Sequence, residues 1–205
     1  MRVSVPLAAA LFAGAAVPAP AADPPAGGDP TRGAVVMAAR CAGCHGTDGN
    51  SRTRGIPNLA GQQPEYLVRE LNGFKEDGRE SAPMQAIAQD LSDQDMADLA
   101  AFLAGQAPVR GKVTKPALLA LGKRIYLNGN PAGGVPACDG CHETRGEGSD
   151  RFPRVAGQDV DYTVAQFRLY VAGKRPYARK VMLTVAERLS EKEARAVAEY
   201  LASLP

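Results

Sequence analysis

The chain has 205 residues, 45% of them hydrophobic, 5% aromatic and none of them Trp, with a formal net charge of +2. That length leaves room for one or two small domains, and the balanced charge offers no electrostatic footing for nucleic acid. So few large aromatic side chains would underfill two cores, unless a bulky non-protein group supplies the missing apolar volume.

The balance hides an asymmetry. Residues 22–105 carry 7 basic and 12 acidic side chains, and residues 106–205 carry 16 and 10. The two halves are expected to form a dipolar molecule. Its acidic half suits a basic partner, and its basic half an acidic partner or an anionic membrane surface.

In chain order, residues 1–21 read as a cleaved signal peptide. Arg2 is a minimal basic start, residues 3–17 are uncharged and Ala-rich, and Ala19-Pro20-Ala21 is an Ala-X-Ala cleavage site. Residues 22–29 then form a flexible tail, and no later segment is apolar enough to cross a bilayer. The expected location is the periplasm, with peripheral attachment to a membrane compatible with the charge pattern.

A first helix carries Gly33 and Met37 and runs into Cys41-Ala42-Gly43-Cys44-His45. The second half repeats this with Gly122 and Tyr126, then Cys138-Asp139-Gly140-Cys141-His142. The two motifs use all four cysteines and both histidines. Cys-X-X-Cys-His is the attachment pattern of a c-type haem. Its thiols add to the two vinyl groups, and its histidine is held under the iron. A four-cysteine zinc site would need its two pairs close together, and here 94 positions separate Cys44 from Cys138. Zinc would also leave both histidines without a role. A redox dithiol belongs at a strand-to-helix junction, and β-branched runs are scarce here. A disulfide framework belongs to shorter, cysteine-denser chains. Two covalent haem c groups are therefore expected, on Cys41, Cys44, Cys138 and Cys141, with His45 and His142 as iron ligands. They would supply the missing bulk. Export fits as well, because attachment to reduced thiols is completed outside the bacterial cytoplasm.

A middle helix begins near Pro64, with Leu67, Leu71 and Phe74 on one face. Its counterpart runs from about Asp159 to Val171, with Phe167, Tyr170 and Val171 inward. Met84 follows in what reads as an irregular loop. The last helices are the clearest: Ser92 with Asp95, and Ser190 with Glu193, are capping boxes. Behind them Met96, Leu99, Ala100 and Leu103, and Ala194, Val197, Ala198 and Leu201, recur at helical spacing. Three main helices per half and no sheet are expected.

The halves align with each other. Cys41 maps to Cys138 at an offset of 97, Pro57 to Pro153 and Tyr66 to Tyr162 at 96, and Met84 to Met182 at 98. Domains are expected over 30–105 and 116–205, joined by a linker over 106–115. With no histidine to spare, the sixth iron ligand falls to methionine, which favours Fe(II). Met182 is the only methionine of the second half. In the first, Met37 and Met96 occupy packing positions, and Met84 is the one that repeats.

This order of Cys-X-X-Cys-His, P-X-X-A-G-Q, Met and an LS-capped helix, found twice from about Gly28 to Leu204, resembles the dihaem cytochrome c4 family. The resemblance implies two tandem all-α cytochrome c domains carrying single electrons between redox proteins. The donor would be the quinol-oxidising respiratory complex and the acceptor a terminal oxidase. Such a chain would not itself be an enzyme. The resemblance also implies that carbonyls at Pro57 and Pro153 fix the histidines, and that Gly33 and Gly122 let the outer helices cross against Phe102 and Tyr200. The duplicated fold equally serves as the electron-accepting subunit of a periplasmic dehydrogenase such as flavocytochrome c sulfide dehydrogenase. A dihaem peroxidase is disfavoured, since no further histidine exists to serve as base. The basic run Arg175, Arg179 and Lys180 before Met182 departs from the first half.

Overall fold

The computed structural model describes residues 27–175 and 180–205. The signal peptide over 1–21, residues 22–26 of the tail and Arg179 lie outside the described residues. Ten α-helices and no named strand occur among the described residues, where β-pairing is limited to the isolated bridges Asn130–Val135 and Ser149–Phe152. No described helix is long and apolar enough to cross a membrane.

The first half contains α1 (Pro30–Val36), α2 (Ala42–His45), α3 (Pro64–Lys75), α4 (Ala82–Gln89) and α5 (Asp93–Ala104). The second contains α6 (Leu119–Asn128), α7 (Asp139–His142), α8 (Val160–Val171), α9 (Lys180–Arg188) and α10 (Glu191–Ser203). Both capping boxes form, with Ser92 and Ser190 accepting from the amides of Asp95 and Glu193 and the carboxylates reaching back.

Helices α1 and α5 cross at Gly33, and α6 and α10 at Gly122. A β-carbon on Gly33 would stand 2.0 Å from the Asp98 carbonyl and 2.8 Å from Phe102 Cβ; on Gly122 it would stand 1.9 Å from the Ala196 carbonyl and 2.9 Å from Tyr200 Cβ. Only glycine allows backbones this close, as the resemblance implied. Each half then closes its own apolar cluster. Met37, Leu67, Leu91, Met96, Leu99 and Leu103 make the first, and Ile125, Tyr126, Val135, Val185, Val197 and Leu201 the second.

Two expectations fail here. The loop around Met84 is the first turn of α4, and Met182 likewise lies on α9, so each half has a fourth sizeable helix. Pro83 misled the reading: proline is favoured in a helix's first turn, where its missing N–H costs nothing. Val171 is 52% exposed rather than inward, because it is the last residue of α8.

A buried carboxylate pins the start of α1. Asp98 is 1% exposed and accepts from the Asp29 amide at 2.7 Å, from Arg32 Nε at 2.8 Å and Nη2 at 2.7 Å, and from Gln94 Nε2 at 2.7 Å. Burial pushes its pKa up, but those donors outweigh burial and hold it below the usual carboxylate range. A carboxyl depressed in the fold contributes stability above its unfolded pKa of about 4, and loses it as pH falls through the folded value. Asp98→Asn should therefore cost roughly 1.5–3 kcal/mol at pH 7. The gap to wild type should narrow below about pH 4. Guanidinium unfolding at pH 7 and pH 3 measures both.

Candidate haem sites

The two Cys-X-X-Cys-His motifs are delivered by different local structures. In the first half, α1 continues through a π-turn, Met37–Cys41, in which the Ala42 amide reaches back to the Met37 carbonyl. The wider turn re-aims Cys41 without breaking the helix. In the second half, α6 stops at Asn128, and an insert closed by the Asn130–Val135 bridge intervenes. The Cys138 amide then returns to the Tyr126 carbonyl at 2.8 Å. The signal was in the spacing: Gly33 lies eight residues before Cys41, but Gly122 lies sixteen before Cys138.

One helical turn in each half then holds two thiols and a ring. Burial pushes the Cys41 thiol up, and with help from Asp139 and Cys141 pushes Cys138 up to about 11. His45 Nδ1 lies 3.0 Å from the Pro57 carbonyl oxygen, and His142 Nδ1 lies 3.0 Å from that of Pro153. A carbonyl can only accept, so Nδ1 carries the proton and Nε2 is the nitrogen left for iron. Burial lowers both histidine pKa values despite these bonds, keeping the rings neutral as metal ligation requires. Free thiols at Cys-X-X-Cys spacing beside a neutral, tautomer-locked imidazole fit covalent haem. Among the described residues no three or more His, Cys, Asp or Glu side chains gather as a bare metal ion would need.

The methionines divide cleanly. Met37 and Met96 are fully buried members of the first apolar cluster. Met84 and Met182 are half-buried and belong to none of the apolar clusters of the described residues.

Between the halves lies a surface that the sequence reading did not resolve. Tyr66, Glu70, Phe74 and Arg79 recur as Tyr162, Gln166, Tyr170 and Arg175, all at an offset of 96. The two sets face each other reciprocally. Arg79 Nη2 donates to the Tyr162 hydroxyl at 2.9 Å, and Arg175 Nη2 to that of Tyr66 at 3.1 Å. Both guanidiniums share one carboxylate, with Glu70 Oε2 at 2.7 Å from Arg79 and 2.8 Å from Arg175. Gln166 Oε1 accepts from both at 3.1 Å. Each guanidinium also stacks on its own half's ring, Arg79 over Phe74 at 4.4 Å and Arg175 over Tyr170 at 4.6 Å.

This corrects the reading of Arg175 as part of a basic approach to Met182: it is 5% exposed and committed to Glu70. Lys174 pairs with Glu80 at 2.8 Å, and Arg54 pairs with Asp161. Through Arg175 and Lys174, part of the opposite charge of the two halves holds them together, whereas the Arg54–Asp161 pair crosses with the reverse polarity.

The family model described as "Cytochrome c" matches this chain twice, over residues 30–107 and 119–205. Cytochrome c4 of Thiocapsa roseopersicina is 40% identical over 183 residues, which are 86% of this chain and 93% of that protein. The chain belongs to the cytochrome c4 family. The crystal structure of reduced recombinant cytochrome c4 from Pseudomonas stutzeri matches with a TM-score of 0.81 at 34% identity, covering 87% of this chain and all of that one. The thiosulfate dehydrogenase electron acceptor of Thiomonas intermedia is 34% identical over 175 residues, 82% of this chain and 80% of that protein. As a cytochrome c4, this is an all-α electron-transfer protein with two covalent haem c groups, one for each Cys-X-X-Cys-His motif.

Proposed function

We propose that this chain carries single electrons in the periplasm, using His45 with Met84 and His142 with Met182 as the axial pairs of its two irons. Cys41 and Cys44 hold one haem, and Cys138 and Cys141 the other. The halves are cytochrome domains over 30–105 and 116–205, with 106–115 between them, and residues 1–21 direct export and are removed. Haem c supplies a one-electron iron couple. The chain supports that couple with little rearrangement: each histidine is locked by a carbonyl, and each methionine rides on a helix packed against α3 or α8.

The observation that carries this reading is the duplicated site. Both halves place a carbonyl-locked imidazole beside two thiols and keep one methionine, at matching positions, out of the apolar clusters. Met84→Ala and Met182→Ala should each remove about half of the long-wavelength sulfur-to-iron absorption of the oxidised protein and lower that haem's potential. Met37→Leu should leave the absorption intact. If it removes the band, Met84 is not the first ligand.

The donor follows from which enzyme reduces the protein. The primary reading is transfer from the quinol-oxidising respiratory complex to a terminal oxidase. The likeness to a thiosulfate dehydrogenase electron acceptor favours one alternative, acceptance of electrons from such a dehydrogenase. Stopped-flow reduction of the oxidised holoprotein should be fast with the quinol complex and quinol. Fast reduction by a thiosulfate dehydrogenase with thiosulfate, and slow reduction by the quinol complex, would reverse the assignment.

A further inference from the structure

The peptide between Pro57 and Asn58 has two tasks. Its carbonyl accepts from His45 Nδ1, and its N–H donates to Gln158 Oε1 at 2.8 Å. Gln158 belongs to the other half. The peptide between Pro153 and Arg154 repeats this: its carbonyl accepts from His142 Nδ1, and its N–H donates to Gln62 Oε1 at 2.8 Å. Each glutamine grips its target twice. Gln158 Nε2 donates to the Asn58 carbonyl at 2.9 Å, and Gln62 Nε2 to the Arg154 carbonyl at 2.9 Å. Neighbouring amides hold the acceptor ends, from Asp159 to Gln158 Oε1 at 2.9 Å and from Gln63 to Gln62 Oε1 at 3.0 Å. The amide orientation is therefore set at both ends. Gln62 and Gln158 are related by the same offset of 96 as the rest of the interface.

We propose that Gln62 and Gln158 are crossed positioning residues, each tuning the axial histidine of the opposite half through one shared peptide unit. A peptide is a conjugated group, so a hydrogen bond accepted from its N–H leaves more negative charge on its oxygen. That oxygen then draws harder on the imidazole Nδ1–H and makes the ring a more basic ligand. A more basic ligand favours Fe(III) and lowers the potential. Gln158 thus acts on the His45 haem and Gln62 on the His142 haem. Parting the halves would raise both potentials, which makes each haem a reporter of docking between the domains. The inference rests on His45 and His142 being the iron ligands.

The test uses the full-length holoprotein. In the reduced, diamagnetic state, proton NMR follows the Nδ1–H of each histidine. Spectroelectrochemistry follows each haem's potential, with haems assigned to halves by the Met84→Ala and Met182→Ala proteins. Gln158→Leu should move the His45 Nδ1–H upfield and raise the N-terminal haem's potential, leaving the His142 proton in place. Gln62→Leu should do the converse. Gln158→Glu keeps an acceptor on the Asn58 amide and covers the case in which leucine disturbs the surface. There the His45 proton should hold its position or move downfield. A shift in the variant's own half, equal shifts in both halves, or none would overturn the proposal. Failure of the underlying reading looks different: in wild type the two histidine rings would then lack the ring-current displacement of a haem ligand.

Discussion

Cys141→Ala protein should mature with one haem instead of two. Its intact mass should fall by one haem, and its visible absorbance per chain by about half. Cys138 and Cys141 sit on one short turn, and Cys138 alone offers a single covalent bond while the second vinyl goes unpaired. The N-terminal haem should remain, because the apolar clusters around Met37 and around Tyr126 share no residues. Cys44→Ala should give the mirror result. Haem staining of a denaturing gel together with intact mass reads both variants. Loss of both haems from either one would show that maturation of the two halves is coupled through the interface.

The second large effect is expected at Glu70. Among the described residues its carboxylate is the counter-charge that Arg79 and Arg175 share, and the side chains of both arginines are nearly inaccessible. Burial opposes the charge of Arg175, but Tyr66, Tyr170 and Glu70 outweigh it, so its pKa stands well above the ordinary value. Removing one partner of a buried ion pair leaves the other desolvated and uncompensated, at a cost of about 3–5 kcal/mol. Glu70→Ala leaves two such guanidiniums facing each other, so its cost should lie toward the upper end. Because the lost contacts join the halves, wild type should unfold in one transition and Glu70→Ala in two. Glu70→Gln should fall between, since it keeps an acceptor oxygen and mirrors Gln166. Guanidinium unfolding of the oxidised holoprotein, followed by haem absorbance and far-ultraviolet circular dichroism together, separates a shifted transition from a split one. A Glu70→Ala protein as stable as wild type would mean that other anions, haem carboxylates included, balance the two arginines.

Much of this protein is written in local patterns that a single sequence displays. The haem motifs are contiguous. The capping boxes at Ser92 and Ser190 need only four residues each, and the glycines at 33 and 122 stand at fixed distances from Met37 and Tyr126. These features follow from helix geometry and from chemistry that acts over one or two turns, so spacing alone exposes them. Spacing, through the repeat at Met182, is also what singles out Met84 over Met37 and Met96 as the proposed ligand.

What the sequence could not display was which faces of the two halves meet. Arg175 reads as one more cation in a basic run, yet folding buries it against Glu70, 105 positions away. Gln62 and Gln158 read as the ends of two similar motifs, yet each closes on the peptide whose carbonyl holds the other half's histidine. The reciprocal pairing exists because two copies of one surface pack about a pseudo-two-fold axis, so its central contacts, those of the arginines with the tyrosines and of the glutamines with the peptides, are made twice at one offset. That offset was visible. The axis was not, because it depends on two folded surfaces matching in shape and charge, which no spacing along the chain encodes.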